Sequence, residues 1–257
     1  MVKKLLELVA PAKIWKQILE LTINEQLKLY CDKKGLHHRS VDPAHVCMVK
    51  TDISKNIFTR YDLKKPIELG LDPESFIDRL KKVKIHEHVI LRYYDDNMLQ
   101  IKIEKPYGPL YKKLFTIDTA AISEPKMPAL NLNFIEVNRE YFIDAFLNIS
   151  DISDHIKMTF KIKEEKLRIE AYTDELENRT ELPIKKIDVK KKTNQVSLFS
   201  VDYMEMHLIR MLKKSNSDLI IGIGHDNPLS VEFGQIDNKK RKLFNTVFLL
   251  APRIESE

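Results

Sequence analysis

The residues with the most obvious chemical potential lie close together in the first fifth of the chain: Cys31, His37, His38, His45 and Cys47. Two thiolates and an imidazole form a zinc-type donor set, and a zinc-dependent enzyme is one reading of them. Their spacing matches no pair of close ligand turns, and on a strand His37 and His38 would point to opposite faces. In the other reading, Cys31 and Cys47 are small core residues. No Gly-x-x-x-x-Gly-Lys, Gly-x-Gly-x-x-Gly, Gly-x-Ser-x-Gly or His-Glu-x-x-His pattern occurs. Nucleotide hydrolysis and the common hydrolase mechanisms therefore lack visible machinery, and no cofactor is expected. The second candidate chemistry is electrostatic. Lys13 and Lys16, then Lys81, Lys82 and Lys84, then Arg210, Lys213 and Lys214 accompany three amphipathic segments, away from their apolar stripes. Each group alone fits a solvated helix face. Their recurrence points to a shared electropositive surface that attracts phosphates without reading base sequence.

Four helical segments carry or interrupt these cations. Ile14, Trp15, Ile18 and Leu19 repeat at helical spacing after Pro11, and Phe76, Ile77 and Leu80 do so after Asp72-Pro73, a cap followed by Pro at the first helical position. Phe142, Ile143, Phe146 and Leu147 follow the cap Asn138, but Asp144 and Asp151 leave this helix without cations past Arg139. Met204, Leu208, Met211 and Leu212 follow Asp202, with Glu205 in position for a capping box. Most of the remainder reads as strands: 26–31, 45–53, 88–93, 98–103, 155–162, 166–171, 219–223 and 229–233. Asp95-Asp96-Asn97 and Glu164-Glu165 have the composition of hairpin tips, and Asp226-Asn227-Pro228 marks a further turn. A shift of 128 residues carries Ile14, Trp15, Ile18 and Leu19 onto Phe142, Ile143, Phe146 and Leu147, and Phe76 and Leu80 onto Met204 and Leu208. The pattern predicts two copies of one unit, each running helix, strands, helix, strands, alike in architecture more than in side chains.

With 257 residues, the chain can hold one large domain or two smaller ones with real cores. Lys plus Arg number 43 against 38 Asp plus Glu, a formal charge of +5; 43% of residues are apolar, too much core material for a disordered chain. No apolar run approaches the roughly 18 residues needed to cross a bilayer, the start of the chain does not read as a signal peptide, and two cysteines suit a reducing, cytosolic compartment. Between the copies lies Asp-Thr-Ala-Ala-Ile-Ser-Glu-Pro-Lys-Met-Pro-Ala-Leu-Asn, 118–131, which reads as an exposed connector, functional or plain linker. The expected division is 1–117, connector 118–131, and 132–257. The last strand leads into an apolar, Pro-containing tail, 250–255, whose Ile254 would gain nothing from fraying.

That tail, Leu250-Ala251-Pro252-Arg253-Ile254-Glu255, resembles the C-terminus of the DNA sliding clamp family, proliferating cell nuclear antigen (PCNA), in its archaeal form. Val41-Asp42-Pro43-Ala44-His45-Val46 is similar to the family's early Met-Asp-(Pro/Ser)-Ser-(Arg/His)-Val turn, with Val41 where Met is usual. Leu69-Gly70-Leu71 running into a helix, Pro125-Lys126-Met127-Pro128 and Asn227-Pro228-Leu229 fit in the same order. The resemblance spans about residues 5 to 255.

It implies an α+β DNA clamp fold: two similar domains, each with two helices packed on antiparallel sheets, and three subunits closing a ring with helices lining the hole. It implies a non-enzymatic processivity factor that encircles double-stranded DNA, with Lys13, Lys16, Lys81, Lys82, Lys84, Arg210, Lys213 and Lys214 facing phosphates. Its partners would be two further clamp subunits, identical or not, a clamp loader, and clients such as DNA polymerase, flap endonuclease and DNA ligase. No membrane is implicated; the place of work would be the archaeal cytoplasm at the nucleoid, or the nucleus if the source is eukaryotic. Clients would dock at a pocket of Val41, His45, Val46, Ile122, Met127, Pro128, Pro228, Phe248, Ala251, Pro252 and Ile254, although Phe248 also suits an ordinary core. The subunit edges would be Tyr111 to Ile117 and Thr180 to Ile184. A checkpoint-type or viral clamp subunit with restricted clients is the nearest alternative.

Overall fold

The computed structural model describes residues 3–122 and 124–253. The chain divides into two compact units: one of 1–42, 49–125 and 237–245, the other of 43–48, 126–236 and 246–257.

The first unit starts with β1 (Lys4–Pro11), a strand not evident from the apolar pattern, and α1 (Ala12–Glu20). There follow β2 (Leu27–Cys31), β3 (Gly35–Val41), β4 (Cys47–Ser54), β5 (Arg60–Leu63), β6 (Ile67–Leu71), α2 (Pro73–Leu80), β7 (His88–Tyr94), β8 (Met98–Ile103) and β9 (Leu110–Phe115). The strands form two antiparallel groups in the orders β5-β1-β7-β8-β9 and β4-β3-β2-β6. Strict alternation of buried and solvated residues, as along Cys47–Ser54, is what a sheet with one covered face requires. The covering layer is helical. Trp15 of α1 meets Phe76 of α2 at a ring separation of 5.7 Å and Phe58 at 5.5 Å, and its indole N–H donates to Val89 O at 3.3 Å. Each such ring contributes about 1.5–3 kcal/mol by leaving water. As expected, Asp72 caps α2: one oxygen accepts from Ser75 N at 3.1 Å and the other from Ser75 Oγ at 2.7 Å.

The second unit repeats this order: β10 (Asn133–Val137), α3 (Arg139–Leu147), β11 (His155–Lys161), β12 (Lys166–Tyr172), β13 (Glu177–Asp188), β14 (Gln195–Ser200), the helix α4 (201–212), β15 (Leu219–Ile223), β16 (Leu229–Ile236) and, from residue 246 on, β17 (Lys242–Leu250). Its strand order is β14-β11-β12-β13-β10-β15-β16-β17. The long β13 does the work of β4 and β5 together. Glu177–Pro183 pairs with β12, while Ile184 and then Lys186, Ile187 and Asp188 pair with β10, with Lys185 bulged between them.

The duplication is therefore architectural, with two adjustments. Pro73 and Val201, which open the second helix of each unit, are 128 residues apart, and Phe76 with Met204 and Leu80 with Leu208 are buried alike. For the first helices the burial matches at 127: Trp15, Ile18 and Leu19 correspond to Phe142, Ala145 and Phe146, while Leu147 is 47% exposed. The helix α4 also departs from expectation. It starts with an α-turn at Val201–Tyr203, widens to a π-helix at Met204–Ile209 and closes at Arg210–Leu212. Ser200, not Asp202, stands at its N-cap and makes no side-chain cap, so the anticipated capping box does not form.

Candidate nucleic-acid interface and docking surface

In the first unit the helix-borne cations come from neighbouring chain segments. The turn after α2 returns to the start of α1, where Ala12 N donates to Glu87 O at 2.8 Å and Lys13 N to Ile85 O at 3.0 Å. This brings Lys13, Lys82 and Lys84, all exposed, into one region. Lys16 is half-buried and its ammonium reaches Val83 O at 3.4 Å. Lys81 is exposed and pairs with Asp78 at 2.6 Å, which raises its pKa and ties it to its own helix. Two further cations belong here, Arg79 in the last turn of α2 and Lys112 on β9, the second of which helical spacing could not reveal. The Lys112 ammonium donates to Arg79 O, one of the last carbonyls of α2, where a cation complements the helix dipole. Burial lowers the Lys112 pKa, and the nearby positive charges of Arg79, Lys105 and Lys82 lower it further, so this patch already carries dense positive charge.

In the second unit Arg210 and Lys213 are exposed and Lys214 is half-buried. The third helix contributes less. Arg139 donates to Leu212 O at 3.1 Å and pairs with Glu140 at 3.2 Å, so it closes the end of α4 instead of reaching outward.

Among the strands with a free edge in the described residues, two lie where the subunit edges are expected. The strand β9 pairs only with β8 and carries Leu110, Tyr111 and Phe115, the last 78% exposed. The Glu177–Pro183 half of β13 pairs only with β12. Relative to the expected edges, Thr116 and Ile117 lie past β9, with Ile117 bridged to Gly70, and Ile184 is already paired with Val137.

The residues expected to form a docking pocket are distributed over both units. In the first, Val41 ends β3 half-buried, and Ile122 is buried beside Gly70. Gly70 is required here by close approach: a Cβ would sit 2.3 Å from Ile117 O and 3.2 Å from Ile122 Cδ1. Ile117 N donates to Gly70 O at 2.8 Å, and Asp118 caps the short 3₁₀ turn Thr119–Ala121, so the connector starts from a fixed point. Residues 124–132 carry no regular structure, with Met127 half-buried and Pro128 exposed. In the second unit, exposed His45 has φ +58°, and half-buried Val46 accepts a 2.8 Å hydrogen bond from Ala251 N. Arg253 N donates to Leu198 O at 2.8 Å, and its guanidinium pairs with Asp154. Arg253 and His155 together hold the Asp154 carboxyl down to about 2. The tail Ala251-Pro252-Arg253 is thus pinned at both ends, with Ala251 and Pro252 half-exposed. Pro228 is half-buried in its turn. Phe248 has no exposed surface and is core. Ile254 lies outside the described residues.

Residues 5–115 match the family described as proliferating cell nuclear antigen, N-terminal domain. The DNA polymerase sliding clamp of Archaeoglobus fulgidus is 30% identical over 90% of this chain and 91% of its own. The chain belongs to the PCNA family of DNA polymerase sliding clamps. The sliding clamp of Methanocella arvoryzae is also 30% identical, over 96% of this chain and 97% of its own. Among solved structures, that described as the C-terminal region of FEN-1 bound to A. fulgidus PCNA superposes with a TM-score of 0.84 at 27% identity, covering 98% of this chain and all of the other. The clamp fold, α+β with antiparallel sheets and four helices, therefore runs the whole chain, and the protein is a DNA polymerase sliding clamp without catalytic function.

The zinc-enzyme reading falls with this assignment, and the side chains show what they do instead. Cys31 and Cys47 are buried, and burial pushes the Cys31 thiol up to about 12, far from the thiolate a metal requires. His37 is engaged with Asp52 at 2.7 Å and Asp32 at 3.2 Å. His38 faces the interior, where burial holds it neutral, at about 4. His45 is exposed on its turn.

Proposed function

We propose that three copies of this clamp subunit, or this chain with two related ones, close a ring around duplex DNA and tether replication and repair enzymes to it. The carrying observation is the repetition of one unit with cations at the end of the second helix in each copy, together with family membership over nine-tenths of the chain. Closure would pair the free edge of β9 with the free half of β13 in the next subunit, so that neither edge is left for aggregation. Lys13, Lys16, Lys81, Lys82, Lys84, Arg210, Lys213 and Lys214 would face the phosphates. Exposed lysines exchange one phosphate for the next with little net change, which permits sliding. Retention then comes from linkage. A separate ATPase would open the ring, acting on DNA in the nucleoid.

Clients would dock by a short segment with apolar anchors against Val41, His45, Val46, Ile122, Met127, Pro128, Pro228, Ala251, Pro252 and Ile254, with Phe248 as supporting core. The solved relative in complex with a FEN-1 segment supports a flap endonuclease as one client; a polymerase, a ligase and the loader are the others. The expected division at 118–131 makes the connector part of this surface. The test is a chain ending at Leu250, compared with the full chain in primer extension on a primed circle with loader and polymerase. The full chain lengthens products and the shortened one does not, because it loses the Ala251–Val46 and Arg253–Leu198 hydrogen bonds. Equal stimulation by both overturns the docking assignment.

A further inference from the structure

Residues 185–194 contain five lysines and one aspartate, a local charge of +4 in a chain whose formal net is +5. Lys185 is paired with Asp218. Lys190, Lys191 and Lys192 fill the turn between β13 and β14. Lys190 and Lys192 are exposed, and no carboxylate partner holds any of the three among the described residues. The Lys190 ammonium lies 5.8 Å over the ring of Phe134, leaving its charge open to solvent.

Two buried amides fix the backbone beneath these charges. Asn133 has no exposed surface; its side-chain oxygen accepts from Lys190 N and Lys191 N, both at 2.8 Å, and its amide donates to Lys191 O at 2.9 Å. Gln195, also buried, donates to Thr193 O at 2.6 Å and accepts from His225 N at 3.1 Å. Asn194 Oδ1 accepts from Ile162 N at 3.2 Å. A buried amide without partners costs on the order of 1–3 kcal/mol, so both stay with this turn and hold its shape before any ligand arrives. The turn is also remote from the helix-borne cations of its unit. The strands β10 and β14 start beside it and reach α3 and α4 only at their other ends, roughly 17–20 Å away at the usual rise per residue.

We propose that the Lys190–Lys192 turn is a second phosphate-contact site on the clamp, holding DNA backbone outside the helix-lined path. It rests on the reading that the assembled chain encloses DNA. Phosphate is the fitting ligand because three ammonium groups act as point charges with no fork geometry for reading bases. The flanking Val189, Thr193 and Asn194 offer no large apolar anchor of the kind a docked peptide needs.

The experiment measures binding of the assembled clamp to a fluorescent 40-base-pair duplex across a salt series, for wild type, the triple K190A/K191A/K192A, the triple Lys→Arg variant, and K81A/K82A/R210A. Each phosphate contact contributes about 0.9 to the slope of log affinity against log salt. The Lys→Ala triple is expected to lower that slope by about 2–3, and the Lys→Arg triple to restore it. An unchanged slope in K190A/K191A/K192A alongside a reduced one in K81A/K82A/R210A overturns this inference and leaves the encircling account intact. An unchanged slope in both overturns both. Retained DNA binding with lost binding to polyglutamate assigns the turn to an acidic protein and likewise overturns the proposal.

Discussion

Replacing Gly70 by Ala tests whether the connector's starting point is held by close packing. The new methyl would meet Ile117 O at 2.3 Å, and because that atom is backbone, no side-chain rotation relieves the overlap. The Gly70–Ile117 bridge must open, losing the 2.8 Å hydrogen bond from Ile117 N, worth about 1 kcal/mol net. Ile122, 3.2 Å from the methyl, must shift and expose part of its buried side chain, at a further cost of up to about 2 kcal/mol. The general penalty for overpacking, about 1–3 kcal/mol, covers the same displacement and is not added. Alanine recovers about 0.5–1 kcal/mol relative to glycine in a strand. The net is a loss of about 2 kcal/mol in denaturant titration with an unchanged m value, faster hydrogen exchange at the Ile117 amide, and weaker binding of a client docking peptide. A G70A protein of wild-type stability with Ile117 still protected would refute the reasoning.

K81A/K82A/R210A should weaken clamp binding to DNA while the mass of the assembly, read by light scattering, stays that of the wild type; loss of assembly would contradict the placement of these cations on a DNA-facing surface. The buried carboxylate of Glu7, held by three cations, gives a pH dependence. Burial alone would raise its carboxyl pKa, but hydrogen bonds from Arg92, Arg60 and Lys4 outweigh this and bring it from 4.5 to about 2. A carboxyl depressed on folding stabilises fully above its unfolded pKa and loses that contribution as pH falls toward the folded one. The cluster should therefore contribute about 3 kcal/mol at pH 7 that fades between about pH 4.5 and 2. Chemical denaturation of wild type and Glu7→Gln should show a stability gap that narrows through that range; a gap constant with pH would disprove it.

Local chemistry made much of the fold legible. Asp72 and Asn138 cap the helices expected of them, and Asn97 and Glu165 adopt the positive φ that hairpin tips demand. The features that escaped depend on distant partners. Apolar residues flank Arg210 on both sides, at Leu208 and Ile209 and at Met211 and Leu212, which suits a π-turn as well as an α-turn, and nothing local separates the two. The point between Pro183 and Ile184 where β13 changes partner, and the bulge at Lys185 that follows, become visible only with β12 and β10 in place. In the candidate site, cations on helices were visible through periodicity. Lys112 was not, because its place beside α2 follows from sheet pairing. Asn133 reads as one more polar residue after the connector, and only the fold shows it buried beneath three lysines. Phe248 illustrates the converse: an aromatic near an expected pocket proved to be core.

The most direct test compares release of the loaded clamp from a closed DNA circle and from the same molecule cut once, in salt high enough to abolish phosphate contacts. Linkage predicts that the protein stays on the circle and runs off within seconds of cutting. Equal rates of loss from the circular and the cut DNA would mean that grip, not topology, holds this clamp.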